Sequence, residues 1–255
     1  MQKGILYLGI RLKLITTEVI TDLVSIWEIN MTYRVVDTET CDFDSGIVEI
    51  ASIDINNNQI DYTSQKSHFV NPQKPISISA MAIHHITDEM VVDSPLIDDV
   101  IGNYKGSDYL VAHNAEFDKR MMPEMDVPFL CTLKLARRLY PELESHSNQY
   151  LRYALKLDVH VPDGLHAHRA LYDCIVTASL FKRIKDDSGW SDKEMLEITS
   201  QPSLLSKLRF GKYKGMTFTE IKQENTGYLS WLLSQSDLDP DVEFSIKYWL
   251  EKKDE

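Results

Sequence analysis

Four short runs in this chain hold side chains that could do chemistry. Asp37 and Glu39 stand two apart in Val35-Val36-Asp37-Thr38-Glu39-Thr40. On a strand, side chains alternate between faces, so residues two apart leave the same face. Two carboxylates side by side repel, and at least one shifts toward its protonated form unless a cation sits between them. A solvated surface pair has the same spacing.

The second run, His113-Asn114-Ala115-Glu116-Phe117-Asp118, falls where a strand pattern passes into a helix pattern. There Asn114 suits an N-cap, Phe117 the core, and Asp118 the first helical turn, where the helix dipole favours negative charge. Capping and catalysis both fit. The third run, His166-Ala167-His168-Arg169-Ala170-Leu171-Tyr172-Asp173, follows Pro162 and Gly164. Five helical steps of ~100° would put His168 and Asp173 about 140° apart. They can meet only if His168 lies in the loop or first turn and reaches over to Asp173; His166 reads as a bystander. The fourth run, Ala80-Met81-Ala82-Ile83-His84-His85-Ile86-Thr87, reads alone as a short helix with a buried apolar face.

The elements that must position these residues form a mixed α/β pattern over residues 31–189. Tyr33 to Asp37, Ile47 to Ile55 and Ser67 to Val70 read as strands, with Asn56-Asn57-Asn58 as a turn, so the first three strands form an antiparallel meander. Further strands are expected over Tyr109 to Ala112 and Phe129 to Thr132, with a helix after Asn114 and a long helix from about Arg169 to Lys185. Residues 190–202 read as a linker helix ending at Pro202, and residues 203–255 as a small α+β module. Its run from Ser203 to Gly215 carries Lys207, Arg209, Lys212 and Lys214 without an acidic residue. Residues 1–30 hold none of the chemistry and are expected to be dispensable, with Met31 as the natural start. The competing reading is an amphipathic element built on Val19, Ile20, Leu23, Val24 and Trp27.

Composition narrows the function classes. The 255 residues include 27 Lys+Arg and 39 Asp+Glu, a net charge of −12, which argues against duplex binding by general phosphate neutralisation. A nuclease is still compatible, because carboxylates that bind metal raise the formal negative charge. Cys41, Cys131 and Cys174 show no zinc-site spacing and point to a reduced, cytoplasmic protein. The apolar stretch Gly4 to Ile10 is too short for a membrane span.

The order D-x-E, H-N-x-x-F-D, H-x-x-x-x-D resembles the motif set of the DEDDh 3′→5′ exonucleases, and A-x-x-x-H-x-I-T recurs between the first two motifs in that family. Asp37-Thr-Glu-Thr-Cys41, Gly46-Ile-Val-Glu-Ile-Ala-Ser52, Val111-Ala-His-Asn114, Lys134-Leu-Ala-Arg-Arg-Leu139 and His168-Arg-Ala-Leu-Tyr-Asp-Cys174 are similar to the exodeoxyribonuclease X branch. The tail, with Phe210-Gly-Lys-Tyr-Lys-Gly215, resembles the same branch.

The resemblance implies an RNase H-like fold, with a mixed five-stranded sheet flanked by helices. It also implies hydrolysis of DNA from a free 3′ end to nucleoside 5′-monophosphates, in DNA repair alongside other repair proteins. It further implies two Mg²⁺ ions, with Mn²⁺ as a substitute, held by Asp37, Glu39, Asp118 and Asp173, and His168 as general base. Four carboxylates balance two divalent cations, and hard oxygen ligands suit these ions. In the related tyrosine class a Tyr stands where this chain has Arg169. RNA trimming is a rival activity, and an inactive nucleic-acid-binding subunit is a rival of another class.

Substrate contacts are expected from Thr38, Asn114, Lys212 and Lys214. Phe43, where the family usually has a Leu after a small residue and Gly, could stack on the terminal base or cap the core. His84 could line the same pocket or pack inside. Phe210 and Tyr213 could stack on bases or form the module's own core.

Overall fold

The computed structural model describes residues 31–42 and 45–252; the expectations for residues 1–30 and for Phe43 lie outside the described residues. Its centre is β1 (Thr32–Asp42), which pairs antiparallel with β2 (Ser45–Asn56) and parallel with β4 (Tyr109–Ala112). With β3 (Gln59–Phe69) and β5 (Phe129–Cys131) the sheet order is β3-β2-β1-β4-β5. This is the mixed five-stranded sheet expected from the motif order.

In β2, Ile47, Val48, Ile50, Ala51, Ile53 and Ile55 are all buried, so both faces of the strand are covered. Asn57 and Asn58, both at positive φ (52° and 58°), make the tight two-residue turn into β3, a conformation that asparagine tolerates well. β3 starts at Gln59 rather than near Ser67. Asp61 to Lys66 lack an apolar alternation because this edge strand is half-exposed, and main-chain pairing to β2 defines it instead.

Short helices α1 (Ile78–His84), α2 (Asp88–Val91) and α3 (Ile97–Val100) lead from β3 toward β4. α4 (Ala115–Met121) joins β4 to β5, followed by α5 (Thr132–Leu139) and α6 (Asn148–Ala154). The long α7 (Ala170–Ser188) packs across β1 and β2 and buries Cys174 to Phe181 almost continuously. It ends at Gly189, whose left-handed φ of 65° suits a residue without Cβ. α8 (Asp192–Ser200) opens on a reciprocal cap between Ser191 and Glu194.

Beyond it, α9 (Phe218–Leu232) and α10 (Pro240–Glu251) enclose a separate core of Leu205, Leu208, Tyr213, Phe218, Ile221, Leu229 and Ile246. One antiparallel bridge, Lys207 to Thr217, accompanies them. Among the described residues no helix is long and apolar enough to cross a membrane.

Arg34 of β1 and Asp54 of β2 face each other inside this framework. Their side chains are 8% and 12% exposed, and they join by two 2.7 Å hydrogen bonds, with a third 2.7 Å bond from Arg34 Nη1 to the Lys105 carbonyl. Removing one partner strands a buried charge. Asp54→Ala is therefore expected to cost about 3–5 kcal/mol of stability in urea denaturation; a loss of under ~1 kcal/mol, the range of exposed pairs, would show that water reaches the pair.

Candidate active site

β1 carries Asp37 and Glu39 to the end of the central strand, where both are partly exposed beside buried Thr38 and Thr40. The pairing of β1 with β2 slips by one residue between Glu39 and Thr40, and a bulge of this kind re-aims side chains at a strand end. Asp173 arrives from the first turn of α7. Carboxylate oxygens of Asp37, Glu39 and Asp173 lie within 4.8 Å of one another. Asp118, buried on α4, accepts a 2.9 Å hydrogen bond from Thr38 Oγ1.

The electrostatics match the crowding. Burial, then the charges of Asp118, Asp173, Glu39 and Glu49, hold Asp37 well above the ordinary carboxylate range. Glu39 is pushed up to about 8 by burial and by Asp173, Glu49 and Asp118, with Arg169 opposing. Burial raises Asp118 to about 7 against its bond from Thr38. It also raises Asp173, against the hydrogen bond from His168.

His168 stands in the loop just ahead of α7, exposed, with φ 64°. It reaches Asp173 through its backbone: its N–H donates to Asp173 Oδ2 at 2.9 Å. Asn148 and Gln149 of α6 each donate to the other carboxylate oxygen at 3.3 Å. Asn114 holds the N-cap position of α4 but is left-handed (φ 67°) and makes no side-chain cap, so its exposed amide is not used for capping.

Two of the residues read as substrate-binding point inward. The Thr38 hydroxyl is spent on Asp118. His84 is 2% exposed, with Nε2 donating to the Thr40 carbonyl (3.2 Å) and Nδ1 accepting from Ile86 N–H (3.0 Å). Its neighbour His85 faces outward instead and meets His166 edge-on at 5.5 Å, so His166 has a partner after all. Lys212 and Lys214 are exposed in the C-terminal module. Of the two aromatics read there together, Tyr213 is core at 5% exposure and Phe210 is 41% exposed.

Sequence reasoning assigned no role to Glu49, Arg169, Asn148 or Gln149. Glu49 lies opposite Glu39 in the β1–β2 register and is buried, taking a forked pair of bonds from Arg169 (2.8 and 2.9 Å), one from Ser67 Oγ (2.9 Å) and one from the Ala170 N–H (3.1 Å). It thereby satisfies an open amide at the start of α7 and fastens the turn that carries Asp173 to β2. The one sequence signal was an acid in the middle of the apolar run Ile47 to Ile55, which demands a buried partner.

The family model described as "Exonuclease" matches residues 35–181, and the one described as "Exodeoxyribonuclease X-like C-terminal" matches residues 208–237. Exodeoxyribonuclease 10 of Escherichia coli (strain K12) is 48% identical over 219 residues, which cover 86% of this chain and 98% of that protein. DNA polymerase III PolC-type of Bacillus subtilis (strain 168) is 34% identical over 174 residues, 62% of this chain but 12% of the polymerase. Among solved structures, exonuclease X in complex with 5′ overhanging duplex DNA superposes with a TM-score of 0.63 at 52% identity, covering 66% of this chain and 99% of that one.

The raised carboxylates set a stability prediction for the protein without metal. An acid whose pKa is higher in the folded state favours folding at low pH, and that contribution is lost as pH rises through the folded value. In EDTA the melting temperature should therefore fall between about pH 4, the ordinary carboxylate range, and pH 8, where Glu39 is held. Mg²⁺ or Mn²⁺ at about 100 times its dissociation constant should remove most of that fall and add roughly 2.7 kcal/mol. A melting temperature indifferent to both pH and metal would mean the carboxylates do not share one field.

Proposed function

The chain belongs to the exonuclease family, and from that premise we propose that it is a metal-dependent 3′→5′ exodeoxyribonuclease releasing nucleoside 5′-monophosphates. The observation that carries this reading is the convergence of Asp37, Glu39 and Asp173 at one end of the sheet, with Asp118 held one hydrogen bond away through Thr38. Carboxylates forced together at raised pKa values form a donor set that fits hard divalent cations. Asp37, Glu39, Asp118 and Asp173 would hold two such ions, Mg²⁺ or Mn²⁺. When bound, these would ease deprotonation of the attacking water and offset charge on the phosphoryl oxygens.

His168 stands at the exposed rim with its backbone fixed to Asp173 and takes the proton of that water, the work of a general base. The oxygen of the water bonds to phosphorus, the bond from phosphorus to the O3′ of the preceding nucleotide breaks, and that O3′ takes up a proton from solvent. The shortened strand keeps a 3′-hydroxyl. In this reading Asn114, exposed at the start of α4, contacts the terminal nucleotide. Phe210, Lys212 and Lys214 offer an exposed aromatic ring and two cations for stacking and phosphate contact farther along. Removal of 3′ ends suits a role in DNA repair, and the three buried free thiols agree with a reduced cytoplasm.

The test is digestion of end-labelled single-stranded DNA, duplex DNA and matched RNA, with Mg²⁺ or with EDTA. A ladder shortening from the 3′ end of DNA in Mg²⁺ alone is expected; faster loss of RNA would reassign the substrate, and binding without cleavage would make the protein an accessory subunit. Asp37→Ala should abolish cleavage with the fold intact. His168→Ala should retain metal-induced stabilisation and lose on the order of 10²–10⁴ in rate. Greater damage from His166→Ala would move the general base to that residue.

A further inference from the structure

The C-terminal module meets the exonuclease region at a buried histidine that none of the motifs includes. His146, 1% exposed, follows the loop after α5 and immediately precedes the cap of α6. Its ring is held at both nitrogens, with Nε2 against the Tyr140 carbonyl at 2.9 Å and Nδ1 against Arg209 Nη2 at 2.8 Å. A guanidinium only donates, so Nδ1 accepts and Nε2–H donates, which sets the tautomer and the ring plane. Burial pushes His146 down to about 4, which keeps the ring neutral as this arrangement requires. A second link docks the module beside this one, between Arg137 of α5 and Asp241 of α10, whose Oδ1 also receives the Ser203 N–H at 2.8 Å.

Two arms of the catalytic centre start from His146. Its carbonyl accepts from His113 Nε2 at 2.9 Å, while His113 Nδ1 faces Thr132 Oγ1 at 3.0 Å. His113 is the residue before left-handed Asn114 and the turn that carries Asp118. In the other direction Ser147 caps α6, and Asn148 and Gln149 bind the Asp173 carboxylate. We infer that Arg209 is a positioning residue: by clamping His146 from the C-terminal module it holds the segments that orient Asp118 and Asp173, so the module acts on the rate of hydrolysis as well as on substrate capture. Without that donor, Nδ1 is a buried acceptor with no partner, and both the His146 carbonyl and the start of α6 lose their common anchor.

The inference rests on the exonuclease reading, and the experiment separates the two. Full-length wild type, Arg209→Met and Arg209→Lys are compared on one end-labelled single-stranded DNA across Mn²⁺ and salt titrations, with melting temperature recorded for each. Methionine keeps the aliphatic bulk without a donor. It should lower kcat by about ten- to a hundredfold, the scale of a small misplacement of reacting groups, and raise the Mn²⁺ concentration for half-maximal activity while KM and its salt dependence stay at wild-type values. Lysine, which still donates, should recover most of kcat. A variant that raises KM and flattens the salt dependence at wild-type kcat would make Arg209 a phosphate contact and overturn the inference, as would equal kcat in wild type and Arg209→Met. Should Arg209→Met fail to fold, Arg209→Leu, which also lacks a donor, carries the same comparison. Wild-type protein that leaves the DNA intact would remove the exonuclease reading itself.

Discussion

Mutual repulsion among carboxylates gathered at one end of a sheet is the constraint around which this protein is arranged. Asp37, Glu39, Asp118 and Asp173 come from three separate elements, and each would be more stable alone in water. The fold answers with neutral hydrogen-bond donors. Thr38 serves Asp118, and Asn148, Gln149 and the His168 amide serve Asp173. These donors fix orientation without neutralising charge, which leaves the neutralisation to the cations. The positive charge of Arg169 goes chiefly to Glu49, so α7 is fastened to β2 by a cation held at Glu49 rather than among Asp37, Glu39 and Asp173.

Much of this was legible in the chain because the signals were local. D-x-E on a strand implies a shared face, and the helical angle between His168 and Asp173 left His168 to the loop or the first turn, of which the structure shows the loop. The long α7 and the separate strands were read from apolar periodicity, and their assembly into one mixed five-stranded sheet from the family resemblance. What could not be read depended on partners far apart in sequence. Glu49 and Arg169 are 120 positions apart, and nothing beside either one announces the other. The choice left open at Asn114 has a different reason: asparagine suits both a cap and a left-handed residue, and the backbone takes the second without a side-chain cap.

The C-terminal module divides what its sequence presented as one group. A run of basic residues interleaved with Phe210 and Tyr213 looked uniform, yet Tyr213 is core and Phe210 is surface, because a module of this size must spend some of its rings on itself. Arg209, from the same run, turns inward to His146 rather than outward with Lys212 and Lys214. Adjacent residues of like charge therefore face different tasks, which no count of charge along the chain separates.

The placement of Asp173 and His168 late in the exonuclease region also bears on how the protein is made. Chains emerge from the ribosome N-terminus first, and pairing of distant segments waits for the later one. A nascent chain that has completed all five strands still lacks His168, Asp173 and α7, whose burial covers β1 and β2. Any fragment released before that point carries Asp37, Glu39 and Asp118 on a sheet that α7 does not cover. The order of elements thus keeps the acidic cluster incomplete until α7 closes over β1 and β2.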